Sequence, residues 1–222
     1  MSLHLLRDLD LLRKRLLDLG TMVEQAVATA TEAFVRRDAE RAREVVHRDA
    51  DVDTAEVRLE EECLKILALH QPVAGDLRFV IAALKVNSDL ERMGDAAESI
   101  AARALQMVEE PPFDVPHEFH EMVTMARGMT RKALHCLLQG DAGLAREVLR
   151  DDAVVDAAQR RMFEVLQERM RKDPGQVSAA VLTLSTTRQI ERIADLATNI
   201  AEDVVFLLEG EIVRHKRMLR MV

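Results

Sequence analysis

The chain has 222 residues, 48% hydrophobic and 32% charged, which supplies a packed core and argues against wholesale disorder. Tryptophan and tyrosine are absent and only six phenylalanines occur, which argues against stacking platforms for single-stranded nucleic acid and against aromatic-lined ligand pockets. A net charge of −8 argues against a general nucleic-acid binder, and Cys63 and Cys136, with no C-x-x-C, exclude a disulfide scaffold or zinc ribbon and fit a reducing compartment.

No apolar run at the N-terminus has signal-peptide length, and Ala179–Leu182 and Val204–Leu208 fall far short of the ~20 residues that span a bilayer. The expectation is a soluble, cytoplasmic chain with no direct membrane insertion. Pro72, Pro111, Pro112, Pro116 and Pro174, with Gly75, Gly140 and Gly175, punctuate long uninterrupted segments. They predict helices over 3–36, 39–70, 76–109, 117–139, 142–172 and 176–214, with Asp38, Asp76 and Asp141 as N-caps. Strand alternation is missing, so the fold class is all-α.

Apolar residues recur at 3,4 spacing. The first helix reads Leu5, Leu9, Leu12, Leu16, Leu19, Val23 and on through Ala33; the third reads Phe79, Ala83, Val86, Leu90, Met93, Ala97, Ile100, Ala104, Met107. Such seams pack helices at small crossing angles, giving an elongated bundle. The chain also repeats itself. Ala42–Asp53 and Ala145–Asp156 agree at eight of twelve positions, and Glu91–Ala101 and Glu191–Ala201 at six of eleven. One three-helix unit is duplicated, with repeats at 1–110 and 117–222 joined by the Pro111–Pro116 stretch. A tetratricopeptide array is disfavoured, because its period would be about 34 residues.

The second helix carries acidic residues where its apolar stripe needs core. The stripe runs Ala42, Val45, Asp49, Val52, Glu56, Leu59, Cys63, Ile66, and its copy runs Ala145, Val148, Asp152, Val155, Gln159, Met162, Leu166. Asp53 and Asp156 follow four residues after the first acidic position, on the same helical face. The third helix of each unit adds a pair at the same spacing, Glu91 with Asp95 and Glu191 with Asp195. Two carboxylates at i and i+4 repel unless a cation, a proton or an arginine intervenes. Pairs from two adjacent helices could surround hard cations, with oxygen ligands that favour iron, manganese or magnesium and admit zinc. Arg92 and Arg192 offer the competing explanation, neutralisation by surface ion pairs.

Other candidates are weaker. Glu44 and His47 fit the Glu-x-x-His of di-iron bundles, but Arg150 stands where the copy needs a second histidine. His117 and His120 open a helix after Pro116 and read as a solvated first turn; Cys63 reads as inert core. The basic tail Arg214–Arg217 reads as a helix end complementing the dipole. No nucleophile–histidine set, P-loop or dinucleotide fingerprint is present, so no catalytic or cofactor-binding residue is assigned.

These residues resemble one family, PhoU, the bacterial phosphate-signalling regulator. Gly20–Gln25 resembles its first-helix signature, and Gln71–Arg78 resembles its Q-P-x-A-x-D-L-R turn. Leu90–Asp95 and Ile190–Asp195 resemble its paired E-R-I-G-D motifs, with Ala194 in place of the usual glycine. The resemblance implies two antiparallel three-helix bundles related by pseudo-twofold symmetry, a homodimer and no enzymatic activity. It implies a negative regulator of the phosphate-starvation response and of phosphate uptake, acting with the ATPase PstB of the phosphate ABC transporter and the sensor kinase PhoR. It also implies multinuclear iron or zinc clusters on E/D-x-x-x-D motifs, here Glu91/Asp95 and Glu191/Asp195. Extending the sites to Asp49/Asp53 and Asp152/Asp156 rests on the stripes. The rival reading is a carboxylate-rich metal-binding bundle with storage or metalloenzyme activity.

Overall fold

Most helix ends in this chain fall where a side chain caps the backbone or where proline and glycine interrupt it, while the first helix closes on Arg37 in the left-handed conformation at φ 57. The structure is a computed structural model that describes residues 3–210. Six α-helices run in order: α1 (Leu3–Arg36), α2 (Ala39–His70), α3 (Ala74–Glu109), α4 (His117–Gln139), α5 (Ala142–Lys172) and α6 (Val177–Glu209), with one 3-10 turn at Pro174–Gln176. No strand occurs among the described residues.

Asp38 caps α2 by accepting from the amides of Glu40 and Arg41, and Asp141 caps α5 by accepting from that of Leu144. Asp76 does not cap α3. That helix starts earlier, at Ala74 behind an extended Val73 without a side-chain cap bond, and Asp76 lies inside the first turn. Its negative charge there still complements the helix dipole. Ahead of α6, Asp173 caps the 3-10 turn, which delays the helix by one residue relative to the expected 176. Gly140 and Gly210, at φ 68 and 70, close α4 and α6 in the left-handed conformation that glycine adopts without penalty. The expected continuation of α6 to 214, and the basic tail, lie outside the described residues.

α1, α2 and α3 pack on one another, as do α4, α5 and α6; α3 lies against α6, and α1 touches α4. The 3,4 seams become the core: from Phe79 to Met107 every member of the α3 stripe is buried, and in α1 only Ala26 is partly exposed. The α3–α6 contact is antiparallel. Lys85 Nζ meets Asp203 Oδ1 at 3.2 Å, and Arg103 Nε donates to Ser185 Oγ at 2.5 Å. Residues 85 and 185 are equivalent in the two copies, and so are 103 and 203, so the two contacts are mates across a pseudo-twofold axis.

Between α1 and α4, Phe34 stacks on Phe119 at 5.4 Å, and Glu24 accepts from Arg127 and Arg131. Gly20 lets the helices close there, since a Cβ would overlap the Leu134 side chain. Arg37 finishes the first bundle. Its guanidinium donates to the carbonyls of Met107, Val108, Glu110 and Pro111 at the end of α3, where the Met107 carbonyl also accepts from the Glu110 amide.

Val52 tests this arrangement. It is 4% exposed, and its Cγ1 would lie 3.1 Å from a Cβ at Gly94. Val52→Asp puts another carboxylate between Asp49 and Asp53 at the closest approach of α2 and α3, and should cost about 3–5 kcal/mol. Circular-dichroism melts read the outcome; an unchanged melt would mean that this face of α2 does not point inward.

Candidate functional site

The seam between α2 and α3 is where apolar periodicity and charge collide. Glycine at position 94 lets α3 approach α2 closely enough that an added Cβ would stand 3.7 Å from Asp49 Oδ1. Asp49 and Glu91 are half-buried on this seam, while Asp53 and Asp95 stand at its exposed edge. Burial raises the Asp49 carboxyl to about 6, and the negative charges of Glu98, Asp53 and Asp95 reinforce it. Burial also raises Glu91, followed by repulsion from Asp95, Glu56 and Asp53, against weak relief from Arg92. Glu56, one turn further along α2, is raised by burial and by Glu60 and Asp53. Asp49, Asp53, Glu91 and Asp95 therefore form one electrostatic group.

The expected relief by arginine is not the arrangement at this seam. Among the described residues, the ion pair of Arg92 is to Asp89, at 3.5 Å, rather than to its neighbour Glu91. The repulsion is larger than the four expected residues imply, because Glu56 and Glu98 belong to the same group. Glu98 follows Glu91 and Asp95 at 4,3 spacing, a signal present in the chain. Asn87 was missed by sequence reasoning: it is 1% exposed, one turn before Glu91, and its Nδ2 donates to the carbonyl and to Oε1 of Glu56 at 3.0 and 2.8 Å.

The second seam, between α5 and α6, repeats the arrangement with less charge. Asp152 is buried at 5% exposure, and Asp156 and Glu191 are half-buried. Burial and then Asp156 raise the Glu191 carboxyl; a hydrogen bond from Gln159 partly offsets this, with Asp152 adding a smaller push upward. The exposed Asp195 lies one turn beyond Glu191. Gln159 replaces Glu56, and Thr198, whose hydroxyl donates to the Ala194 carbonyl at 3.1 Å, replaces Glu98.

No group of three or more His, Cys, Asp or Glu side chains among the described residues is arranged closely enough to hold a metal ion. The donor chemistry nevertheless suits a hard cation at the first seam: the four side chains offer oxygen atoms only, and burial followed by like charge raises two of them, Asp49 and Glu91. The other candidates are structural. Glu44 pairs with Arg48 at 3.2 Å, and the exposed His117 faces Glu121 at 3.4 Å. Cys63 and Cys136 are fully buried, and burial pushes both thiols up to about 12, which leaves them unreactive at neutral pH. No helix among the described residues is long and apolar enough to cross a membrane.

Comparison with known proteins places this geometry. A family profile described as "PhoU domain" matches residues 16–104 and 119–204. The "Phosphate-specific transport system accessory protein PhoU homolog" of Aquifex aeolicus is 36% identical over 97% of this chain and 98% of its own length. Its namesake in Pseudomonas aeruginosa is 36% identical over 96% of this chain and 89% of its own length. The crystal structure of PhoU from Pseudomonas aeruginosa superposes with a TM-score of 0.87 at 35% identity, covering 92% of this chain and 99% of that one. That of the phosphate transport system regulatory protein PhoU from Streptococcus pneumoniae gives 0.87 at 29% identity, covering 94% and 99%.

Asp49 makes the electrostatics of the first seam measurable. A carboxyl held near 6 binds its proton more tightly folded than unfolded, so its ionisation opposes folding. That burden is full above about 6 and vanishes as the pH falls toward the unfolded value of 3.8. In chelator at pH 7, Asp49→Asn should therefore raise the melting temperature by a few degrees, about 1–2 kcal/mol once solvent screening is allowed for. The advantage should close between pH 6 and 4. A variant that melts at or below the parent at pH 7 would remove the repulsion from the seam.

Proposed function

The chain belongs to the PhoU family, and from that premise we propose that it is a non-enzymatic negative regulator of the phosphate-starvation response and of phosphate uptake. In this reading it is an adaptor between the phosphate ABC transporter, through its ATPase PstB, and the sensor kinase PhoR, working in the cytoplasm as a homodimer. The observation that carries the reading is relatedness along nearly the whole chain to proteins named for the phosphate-specific transport system, with both copies of the duplicated unit matched. A partner protein that recruits other proteins needs surface rather than a reaction centre, and long helices on two bundles supply it.

We propose further that metal belongs to this function. Asp49, Asp53, Glu91 and Asp95 would hold ions at the first seam, and Asp152, Asp156, Glu191 and Asp195 at the second. The chemistry supplied is charge neutralisation: a hard cation would offset the burial of Asp49 and Glu91 and the like-charge repulsion that adds to it. Iron, manganese and magnesium fit an all-oxygen set, and zinc fits where four ligands suffice. The same seams support the rival reading, metal storage or metal-dependent chemistry, which turnover by the metal-loaded protein would favour.

Deleting the gene and following a phosphate-starvation reporter in phosphate-rich medium tests the regulator. The reporter should switch on, and phosphate uptake should rise; a silent reporter with normal uptake would remove the basis for the adaptor. The metal proposal has its own readout. Returning manganese or iron to chelator-stripped protein should raise the melting temperature, since an ion bound only by the folded arrangement at 100 times its Kd adds about 2.7 kcal/mol. Glu91→Gln with Glu191→Gln should abolish that rise. If a single site fills, it should be the first, where Glu56 and Glu98 add carboxylates. A melt indifferent to metal and chelator would defeat the proposal.

A further inference from the structure

The two copies share a backbone, so positions related by the pseudo-twofold axis meet the same packing demands. One pair of related surfaces has nevertheless diverged in charge. Between α5 and α6 lies a cleft of about 360 Å³ lined by Gln159, Arg160, Phe163, Leu184, Thr187 and Arg188, with Glu164 on its rim. The equivalent positions between α2 and α3 are Glu56, Val57, Glu60, Leu84, Asn87 and Ser88, with Glu61 on the rim. The first surface thus has three carboxylates and no cation, whereas the second has two guanidiniums and one carboxylate. On a chain whose net charge is −8, that is a local reversal of sign.

We propose that the α5–α6 cleft is a docking site for an acidic protein segment carrying an apolar anchor. Phe163 supplies the apolar contact: it is 52% exposed on a helix whose stripe residues, Met162 and Leu166, are fully buried, so packing does not require it there. Leu184, partly buried, forms the floor beside it. Arg160 and Arg188 flank the ring from different helices. No salt bridge among the described residues uses either one, whereas the adjacent Arg161 is taken by Glu121 at 2.9 Å. Arg188 acts on Glu191 only as the smallest of several influences, so its guanidinium is not committed there. An arginine presents its fork of donors to a carboxylate bidentately, and a half-exposed ring between two such forks fits an acidic helix with a leucine or aromatic side chain. Gln159 removes the carboxylate that Glu56 places in the other copy, and its amide donates to Glu191, which leaves Glu164 on the rim as the one carboxylate lining the cleft. The concave form disfavours a lipid surface, which would lie on convex ridges. This proposal goes beyond the regulatory reading and holds or fails without it.

The test uses the full chain and a fluorescein-labelled amphipathic helical peptide of glutamate, alanine and leucine, with a lysine-for-glutamate peptide as control. Fluorescence anisotropy should show one acidic peptide bound per chain, with affinity falling as salt rises. Arg160→Glu with Arg188→Glu should weaken binding about tenfold or more, and Phe163→Ser about threefold or more. All three side chains are exposed, and unchanged melts confirm intact variants. Installing Val57→Arg, Glu60→Phe and Ser88→Arg should raise the stoichiometry from one peptide to two. The proposal is overturned by absence of binding at about 100 μM, by equal binding of the lysine peptide, or by indifference to the substitutions. It is equally overturned if phosphatidylglycerol vesicles bind through these arginines while the peptide does not, or if ultracentrifugation shows self-association that the charge-reversed variant loses.

Discussion

α3 and α6 each have neighbours on three sides, and the rest of the molecule is arranged around that demand. α3 meets α1, α2 and α6; α6 meets α4, α5 and α3. Helices approach to 8–10 Å according to the side chains between them, so a helix packed on three flanks must be thin. Ala82, Ala96, Ala97, Ala101 and Ala104 are buried along α3, and Ala180, Ala194, Ala197 and Ala201 along α6. Thr183, Thr186 and Thr187 add narrow polar side chains to α6, and each returns its hydroxyl to a carbonyl of its own helix, so none of these three hydroxyls is stranded. Most of the buried leucines and phenylalanines sit instead on the outer helices, as Leu9, Leu12, Leu16, Leu19 and Phe34 do on α1, while Phe79, Leu90 and Leu196 are the ones on α3 and α6.

A helix so enclosed has little surface left for charge. On α3 the remaining strip borders α2, and there Glu91, Asp95 and Glu98 meet Asp49, Asp53 and Glu56. Acidic side chains set into an apolar stripe oppose folding, as the upward displacement of Asp49 and Glu91 shows. Local rules broken at one place in an otherwise consistent chain are the mark of a site retained for function rather than stability. Gly94 is part of the same feature, because its missing methyl lets the two acidic strips come together.

Helix positions were legible because proline, glycine and aspartate end helices by local chemistry. Asp38 and Asp141 capped as expected; Asp76 did not, since two helical residues, Ala74 and Gly75, precede it and leave it in the first turn, and no local rule distinguishes the two placements. The carboxylates of the first seam were legible as interruptions of periodicity. Glu98, which Thr198 replaces in the copy, was legible as an added carboxylate of the first seam; Asn87 was not recognised, although it shares the Glu91 face, because it carries no charge. The partners of each helix were beyond reach. Periodicity says which face is buried, and not against what, so the meeting of Lys85 with Asp203 and of Arg103 with Ser185 emerges only in three dimensions. Arg92 shows the same limit: it follows Glu91 in the chain yet points to Asp89.

Duplication explains why the two seams differ in the way they do. A doubled unit starts with both carboxylate groups equal, and each then drifts under the same backbone constraints. In the second copy the changes are coordinated: Gln159 for Glu56 and Thr198 for Glu98 lower the negative charge, and Asp152 sinks to 5% exposure where Asp49 stays half-buried. A buried aspartate tolerates fewer like charges nearby than a half-exposed one, because the lower effective dielectric amplifies each repulsion. Deeper burial and fewer carboxylates therefore go together. The first copy keeps more charge at a more accessible seam, and the second keeps less charge, more deeply held.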